Sequence, residues 1–332
     1  KTGSALSSLV VKGDGSVWDG NDPAFSTAFV GRDDAGGLSV LDGAAAQLNT
    51  LAIAAGEGVF ATVVVDEASL ETKSIDIGRA GQASFTARGA DTTVDVDADL
   101  KFAIRETGQG EALIEGGARV NVDDAAIVGV KGTGNLRVDT DSTFDVGSLI
   151  VGDGPESQGA VTVAGTDARL IGGADDSLIG SGGQARLEVL GGGLVDLQEP
   201  LIAGSLPGAP RAEIRVEGVS ESKGLVGSTL KLRADFDAAT IGDDAPAQLD
   251  VVGGGQVRVP VGSLVLADST DAAGSTMTVE GMATLGDERL RSTVEIGSNL
   301  EIGPGGDATV TLDEGGLVRV HRVTQVGEAD GD

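Results

Sequence analysis

A short apolar run ending on an aliphatic residue and then, most often, glycine recurs along the whole chain. The pairs are Val30-Gly31, Ile53-Ala54, Ile77-Gly78, Ile104-Arg105, Val128-Gly129, Val151-Gly152, Ile179-Gly180, Ala203-Gly204, Ile241-Gly242, Ala267-Asp268, Ile302-Gly303 and Val326-Gly327. Most neighbouring pairs stand roughly 24 residues apart, and wider intervals precede Gly242 and Gly303. A repeat of this period stacks one supersecondary unit on the next, because no single unit can bury its own apolar face.

Within one repeat the order of features is constant. Ala247-Gln248-Leu249-Asp250-Val251 alternates apolar and polar residues. The turn Gly253-Gly254-Gly255 follows, then a second alternating run, Val257-Arg258-Val259, and a third, Leu264-Val265-Leu266. The same order runs from Ala185 to Gly204 and from Ala308 to Gly327. Alternation with period two marks short strands with one buried face. Glycine marks the bends because it accepts positive φ. No window carries the ~3.6-residue period of an amphipathic helix. The expected fold is all-β: a right-handed parallel β-helix (β-solenoid) with three short strands per coil and about 12–13 coils. Residues 1–332 read as a single solenoid domain. Residues 1–30 form an irregular first coil or N-terminal cap, and 205–241 and 269–302 are longer coils that carry loops. In the C-terminal half, short coils with a Gly-Gly turn alternate with longer ones, as in a two-coil unit.

Composition agrees with a narrow, self-repeating core. The chain has 54 Gly, 7 Phe, 1 Trp, no Tyr and no Cys, so aliphatic side chains must supply the buried area. The lack of cysteine excludes disulfides and thiolate metal sites, and fits a secreted bacterial protein. The net charge of -29 repels nucleic acid and anionic membranes, so neither is expected as a partner. No apolar run reaches the ~20 residues of a membrane helix, so this segment is not expected to insert into a membrane. The sequence begins at Lys1, which reads as a processed form or an excised piece. Neither end shows a polar cap. Further coils or stacking on a partner are therefore expected there, including end-to-end contact between copies in a homo-oligomer.

The consensus is approximately A-x-L-x-V-x-x-G-G-x-V-x-V … L-x-I-G, with intervening V-x-V-x-G-x-x-x-x-L coils. Ala160 to Gly180, Ala185 to Gly204, Ala247 to Leu266 and Ala308 to Gly327 carry it. This pattern resembles the β-solenoid repeats of bacterial autotransporter passengers, and more narrowly those associated with type V secretion and PEP-CTERM surface proteins. The resemblance implies an extracellular or bacterial cell-surface protein acting as stalk, adhesin or matrix component, with a glycan or another surface molecule as partner. The outer-membrane barrel of that family has no counterpart in these residues.

The chemistry-bearing residues are few. His321 is the sole histidine and falls with Arg319 on the outward side of Leu317–Val323, so any Ser-His-Asp triad would have to use it. A carbohydrate-active β-helix enzyme, or a tailspike-like polysaccharide binder, would need convergent carboxylates in a groove, usually with aromatics. No such cluster stands beside the histidine. No catalytic residue and no organic cofactor is expected.

Acidic residues gather just after the anchor pairs: Asp33, Asp34, Asp153, Asp243, Asp244 and Asp268, with Glu328 and Asp330 near the end. Stacked in register, they would line one edge about 4.8 Å apart and attract Ca2+, whose preferred ligands are carboxylate and carbonyl oxygens. The competing reading is a solvated edge that resists aggregation. Asp95-Val96-Asp97-Ala98-Asp99 has the spacing of an EF-hand start but lacks its glycine and glutamate, and reads as a strand edge. Gly172 to Leu178 resembles a single nonapeptide Ca2+ repeat, which needs tandem copies. Trp18 sits in the least regular coil, as packing over the core end or as an anchor for a partner. The sequence therefore supports a non-catalytic structural or adhesive module. An enzyme and a self-assembling filament subunit, with or without calcium, remain as alternatives.

Overall fold

A computed structural model describes residues 7–20, 27–173, 175–220, 224–233, 238–285 and 287–327. Glu328 and Asp330 lie outside the described residues. The alternating runs form strands, and each pairs in parallel with the equivalent run one repeat away. One sheet holds 12 strands, one from each of 12 coils, from Ser7–Lys12 to Ala308–Asp313. A second, larger sheet wraps the other two sides of the coils. We refer to the three sides, in chain order within a coil, as the first, second and third faces. The only helical element among the described residues is a 3-10 turn, Thr270–Ala272. At ~4.8 Å per coil the rod is about 58 Å long.

The coil is less uniform than three separate strands. In coils 2, 3, 5 and 6 the second and third runs fuse into single strands, Ala45–Ile53, Ser69–Ile77, Arg119–Val128 and Thr143–Val151. The register between the last two shifts between Val122 and Ala125, which takes up the bend. Elsewhere the runs stay apart, and Pro200 and Pro260 stand in two of those gaps, where a missing N–H interrupts the pairing.

The inward positions build one continuous apolar column. Phe102 and Phe144 are fully buried in it, among valine, leucine and isoleucine from every neighbouring coil. Thr72 is the polar exception on the second face. Its hydroxyl is bonded to the Asn49 and Ser74 carbonyls, both at 3.2 Å, so its burial leaves no orphaned group.

The anchor pairs have a common conformation. In ten of the twelve pairs the second residue takes positive φ, between 51° at Ala54 and 83° at Gly242. Its N–H bonds back one coil, as in Gly152 to Val128 and Gly204 to Ile179, both at 2.9 Å. Two pairs sit elsewhere than the spacing predicts. The anchor of coil 4 is Phe102-Ala103, with φ 55° at Ala103, not Ile104-Arg105. That of coil 10 is Leu266-Ala267, with φ 59° at Ala267, not Ala267-Asp268. In both, alanine occupies the left-handed position and hides the glycine signature.

The two long coils carry hairpins at the corner between the first and second faces. Val219–Ser220 pairs antiparallel with Val226–Gly227, and Met282–Leu285 with Glu288–Arg291. The hairpins flank the Gly253-Gly254 turn of the short coil between them. A Cβ on Gly254 would lie 2.8 Å from Val219 Cγ1 and 3.0 Å from Ala283 Cβ. The alternation of short and long coils is thus a packing requirement: a turn without side chains leaves room for the hairpins on either side.

Candidate functional site

The hairpins are fastened by two equivalent serines. Ser228 Oγ donates to the Glu217 carbonyl at 2.6 Å and accepts the Gly192 N–H at 3.0 Å. Ser292 Oγ donates to the Glu280 carbonyl at 2.6 Å and accepts the Gly254 N–H at 3.0 Å. Both serines are fully buried. Each closes the base of its hairpin and ties it to the glycine turn of the coil before. Ser142 makes a similar bond from Gly117 N–H at 3.1 Å in a coil without a hairpin.

Beside this corner, the second face carries an outward ladder with a polarity along the rod. Cross-coil register runs Asp19, Gln47, Glu71, Asp95, Asn121, Asp145, Ile171, Asp196, Lys231, Arg258, Glu295, Arg319. The N-terminal part is acidic, with amides between several of the carboxylates. Gln47 donates to Glu71 at 3.1 Å and Asn121 donates to Asp95 at 2.6 Å. These amides relieve like-charge contact at the coil spacing. Asp95 lies in the strand Thr93–Val96, whereas Asp97 to Asp99 form the bend that leads to the next strand, Leu100–Phe102, so only the start of that segment is strand edge.

From Lys231 onward the ladder is mainly basic, in a chain with a net charge of -29. Lys231 and Arg233 reach Asp196 at 2.8 and 3.7 Å. Arg319 and His321 reach Glu295 at 3.6 and 3.3 Å. Arg258 is bonded to Gln256 at 2.6 Å and, among the described residues, pairs with no carboxylate. Pro260 and Gly297 interrupt the row of long side chains next to this ladder and leave a depression of about 480 Å³. Lys231, Arg258, Glu295 and His321 surround it. A second depression of about 520 Å³ adjoins across Pro260 and Gly297 and ends at Glu301 and Arg322. A Cβ on Gly297 would stand 2.2 Å from the Pro260 carbonyl, so glycine is what lets these coils close on each other. His321 is exposed on this face, as its alternation predicts.

The acidic corner is broken rather than continuous. Arg79, Arg105 and Lys131 occupy the stretch between Asp34 and Asp153. Ser181 and Ser205 occupy that between Asp153 and Asp243. Asp243, Asp244 and Asp268 do come together: burial raises the Asp243 pKa, and repulsion from Asp244 and Asp268 raises it further. Asp33 and Asp34 stand at the far end, and Asp153 stands apart from both groups. Among the described residues, no group of three or more His, Asp or Glu is arranged to hold a metal ion. A second carboxyl with raised pKa, Asp76, is shifted mainly by burial, against the pull of Arg79 and Lys101. Trp18 is half-buried and packs against the end of the core, beside a depression of about 460 Å³ formed with Leu9, Ala28 and Val30.

The hairpins and the cationic ladder share the C-terminal third of the rod. The sequence marks the long coils but not the ladder, because its members are 24 to 37 positions apart and line up only once the register is known. No helix among the described residues is long and apolar enough to cross a membrane. No family model, curated protein or solved structure matches this chain.

Proposed function

We propose that this chain is a non-catalytic structural and adhesive module of an extracellular or cell-surface protein, a stiff rod that presents its hairpin corner and the adjoining cationic ladder. The observation that carries this reading is the unbroken apolar column through every coil, with both antiparallel hairpins among the described residues at one corner. A column of this kind resists bending, and loops on a rigid scaffold are where binding usually resides. The likeness of the repeat to autotransporter and PEP-CTERM-associated solenoids supports a place outside the cell.

The cationic depression favours an acidic glycan as the adhesive partner. A carboxylated or sulfated sugar could meet Arg258 and His321 without crossing the acidic part of the face. Binding assays on polygalacturonate, alginate and a neutral glucan test this. The reading expects salt-sensitive binding to the acidic polymers, lost in Arg258→Glu, with no shortening of the polymer. Cleavage of any of these polymers would overturn the non-catalytic assignment and support the carbohydrate-active alternative.

A further inference from the structure

The two ends of the rod complement each other. In the first coil the inward residue Leu9 is 43% exposed, whereas its partner one coil along, Leu38, is 2% exposed. In the last coil Leu312 is 54% exposed, whereas its partner Val279 is fully buried. Val326 is 73% exposed at the same end. Among the described strands, Ser7–Lys12 pairs only with Gly36–Leu41, and Ala308–Asp313 only with Ser275–Glu280. Each end therefore presents apolar side chains and a row of backbone groups with no strand against them, which is a template for another strand.

The register predicts what would fit. A first coil placed where a thirteenth would lie sets Val310 on Leu9, Leu312 on Val11, Val318 on Trp18 and Val326 on Val30. The charged positions of the two rungs then meet with opposite sign: Asp313 faces Lys12, and Arg319 faces Asp19. Across the joint the second-face ladder alternates in charge, since Arg319 already pairs with Glu295 at 3.6 Å. On the first face Lys12, which also pairs with Asp42 at 3.1 Å, would meet the neighbouring carboxylates Asp313 and Glu280. Stacking like ends instead would set the strands of the joint antiparallel and break the parallel coil-to-coil register.

We infer that copies of this chain stack head to tail, the last coil of one on the first coil of the next. The contact is heterologous, so it does not close and generates a filament with the width of one rod. It extends the structural reading above but does not depend on it: polysaccharide cleavage would overturn that reading alone, and a strictly monomeric chain would overturn this one alone. The net charge of -29 opposes approach at long range. At ~0.15 M salt that repulsion is screened beyond about 8 Å, while the contacting pairs are not.

The test is a concentration series of the whole chain in physiological salt, followed by sedimentation velocity, negative-stain microscopy and fluorescence. Trp18 is the only tryptophan and lies at the mating end. The expected result is particles of constant width that lengthen in steps of about 58 Å, with a blue shift of Trp18 emission as they grow. Leu312→Asp should abolish growth of the variant alone. Mixed with the unaltered chain it should shorten the rods, because only its first coil can still join. Asp313→Lys, at an exposed outward position, should weaken association about tenfold. Circular dichroism confirms that both variants keep their sheet content. A monomer at every concentration, side-by-side pairing, or assembly indifferent to both substitutions would overturn the inference. A monomer would leave flanking segments of a longer polypeptide as the occupants of the ends.

Discussion

Removing the Ser228 hydroxyl tests how the hairpin corner is held. In Ser228→Ala the Gly192 N–H loses its acceptor. The Glu217 carbonyl keeps one partner, the Gly191 N–H at 3.1 Å. One orphaned buried donor costs about 1–3 kcal/mol, and a partly satisfied carbonyl adds up to about 1 kcal/mol. The expected loss is therefore about 1–4 kcal/mol. Ser292→Ala should cost the same, since Gly253 N–H likewise retains the Glu280 carbonyl at 3.2 Å. The two sites lie two coils apart, so the double variant should lose roughly the sum, within about 0.5 kcal/mol. Urea unfolding measures the totals, and hydrogen exchange at Gly192 and Gly254 locates them. Thr293→Ala, which removes a more exposed hydroxyl bond of 3.1 Å to Arg291, should stay within about 0.5 kcal/mol. A loss below about 0.5 kcal/mol in Ser228→Ala, with unchanged exchange at Gly192, would refute the role assigned to the serines.

Phe144→Ala should destabilise the chain by about 3–5 kcal/mol in urea unfolding, because the ring is fully buried in the column. A cost under about 1 kcal/mol would mean the column can collapse around the gap. Gly78→Ala should cost more than about 2 kcal/mol, since φ is +70° and the new Cβ would stand 2.2 Å from the Gln109 carbonyl. Ala54→Gly, at the same place one coil earlier, should change stability by less than about 1 kcal/mol. Asp243 has a raised pKa in the folded chain, so the fold binds its proton more tightly than the unfolded chain does. This group's contribution therefore declines as pH rises through the carboxylate range. Asp243→Asn should raise Tm at neutral pH, and the gain should vanish in acid. Ca2+ held by Asp243, Asp244 and Asp268 would raise Tm in the unaltered chain and less in Asp243→Asn; a Tm unmoved by Ca2+ would remove the calcium reading.

The repeat was legible because its bends need a conformation that glycine adopts most readily. Where alanine takes that conformation, at Ala103 and Ala267, the coil boundary shifted by one or two residues in the sequence reading. Fusion of the second and third strands was not legible, because the corner is marked only by a break in the alternation, at Asn49-Thr50 and Lys73-Ser74, and by no glycine or proline. The first hairpin lay where the extra length predicted it. The second, which begins at Met282, lies within the longer coil 269–302. Carboxylates recur after the anchor pairs, but Arg79, Arg105 and Lys131 lie between Asp34 and Asp153, so the recurrence alone does not make a continuous acidic edge. The charge polarity of the second face needed the cross-coil register, which local patterns do not contain.

The central claim is a single register of parallel coils, and pulsed dipolar spectroscopy tests it directly. The chain has no cysteine, so pairs introduced on the first-face ladder label cleanly. Thr62, Ala160, Glu213 and Thr276 occupy equivalent outward positions on that ladder. Thr62→Cys combined in turn with Ala160→Cys, Glu213→Cys and Thr276→Cys should give backbone separations of about 19, 29 and 38 Å, rising by ~4.8 Å per coil. Distances that fail to rise linearly with coil number, or a broad distribution at any pair, would contradict the stacked register on which every other statement rests.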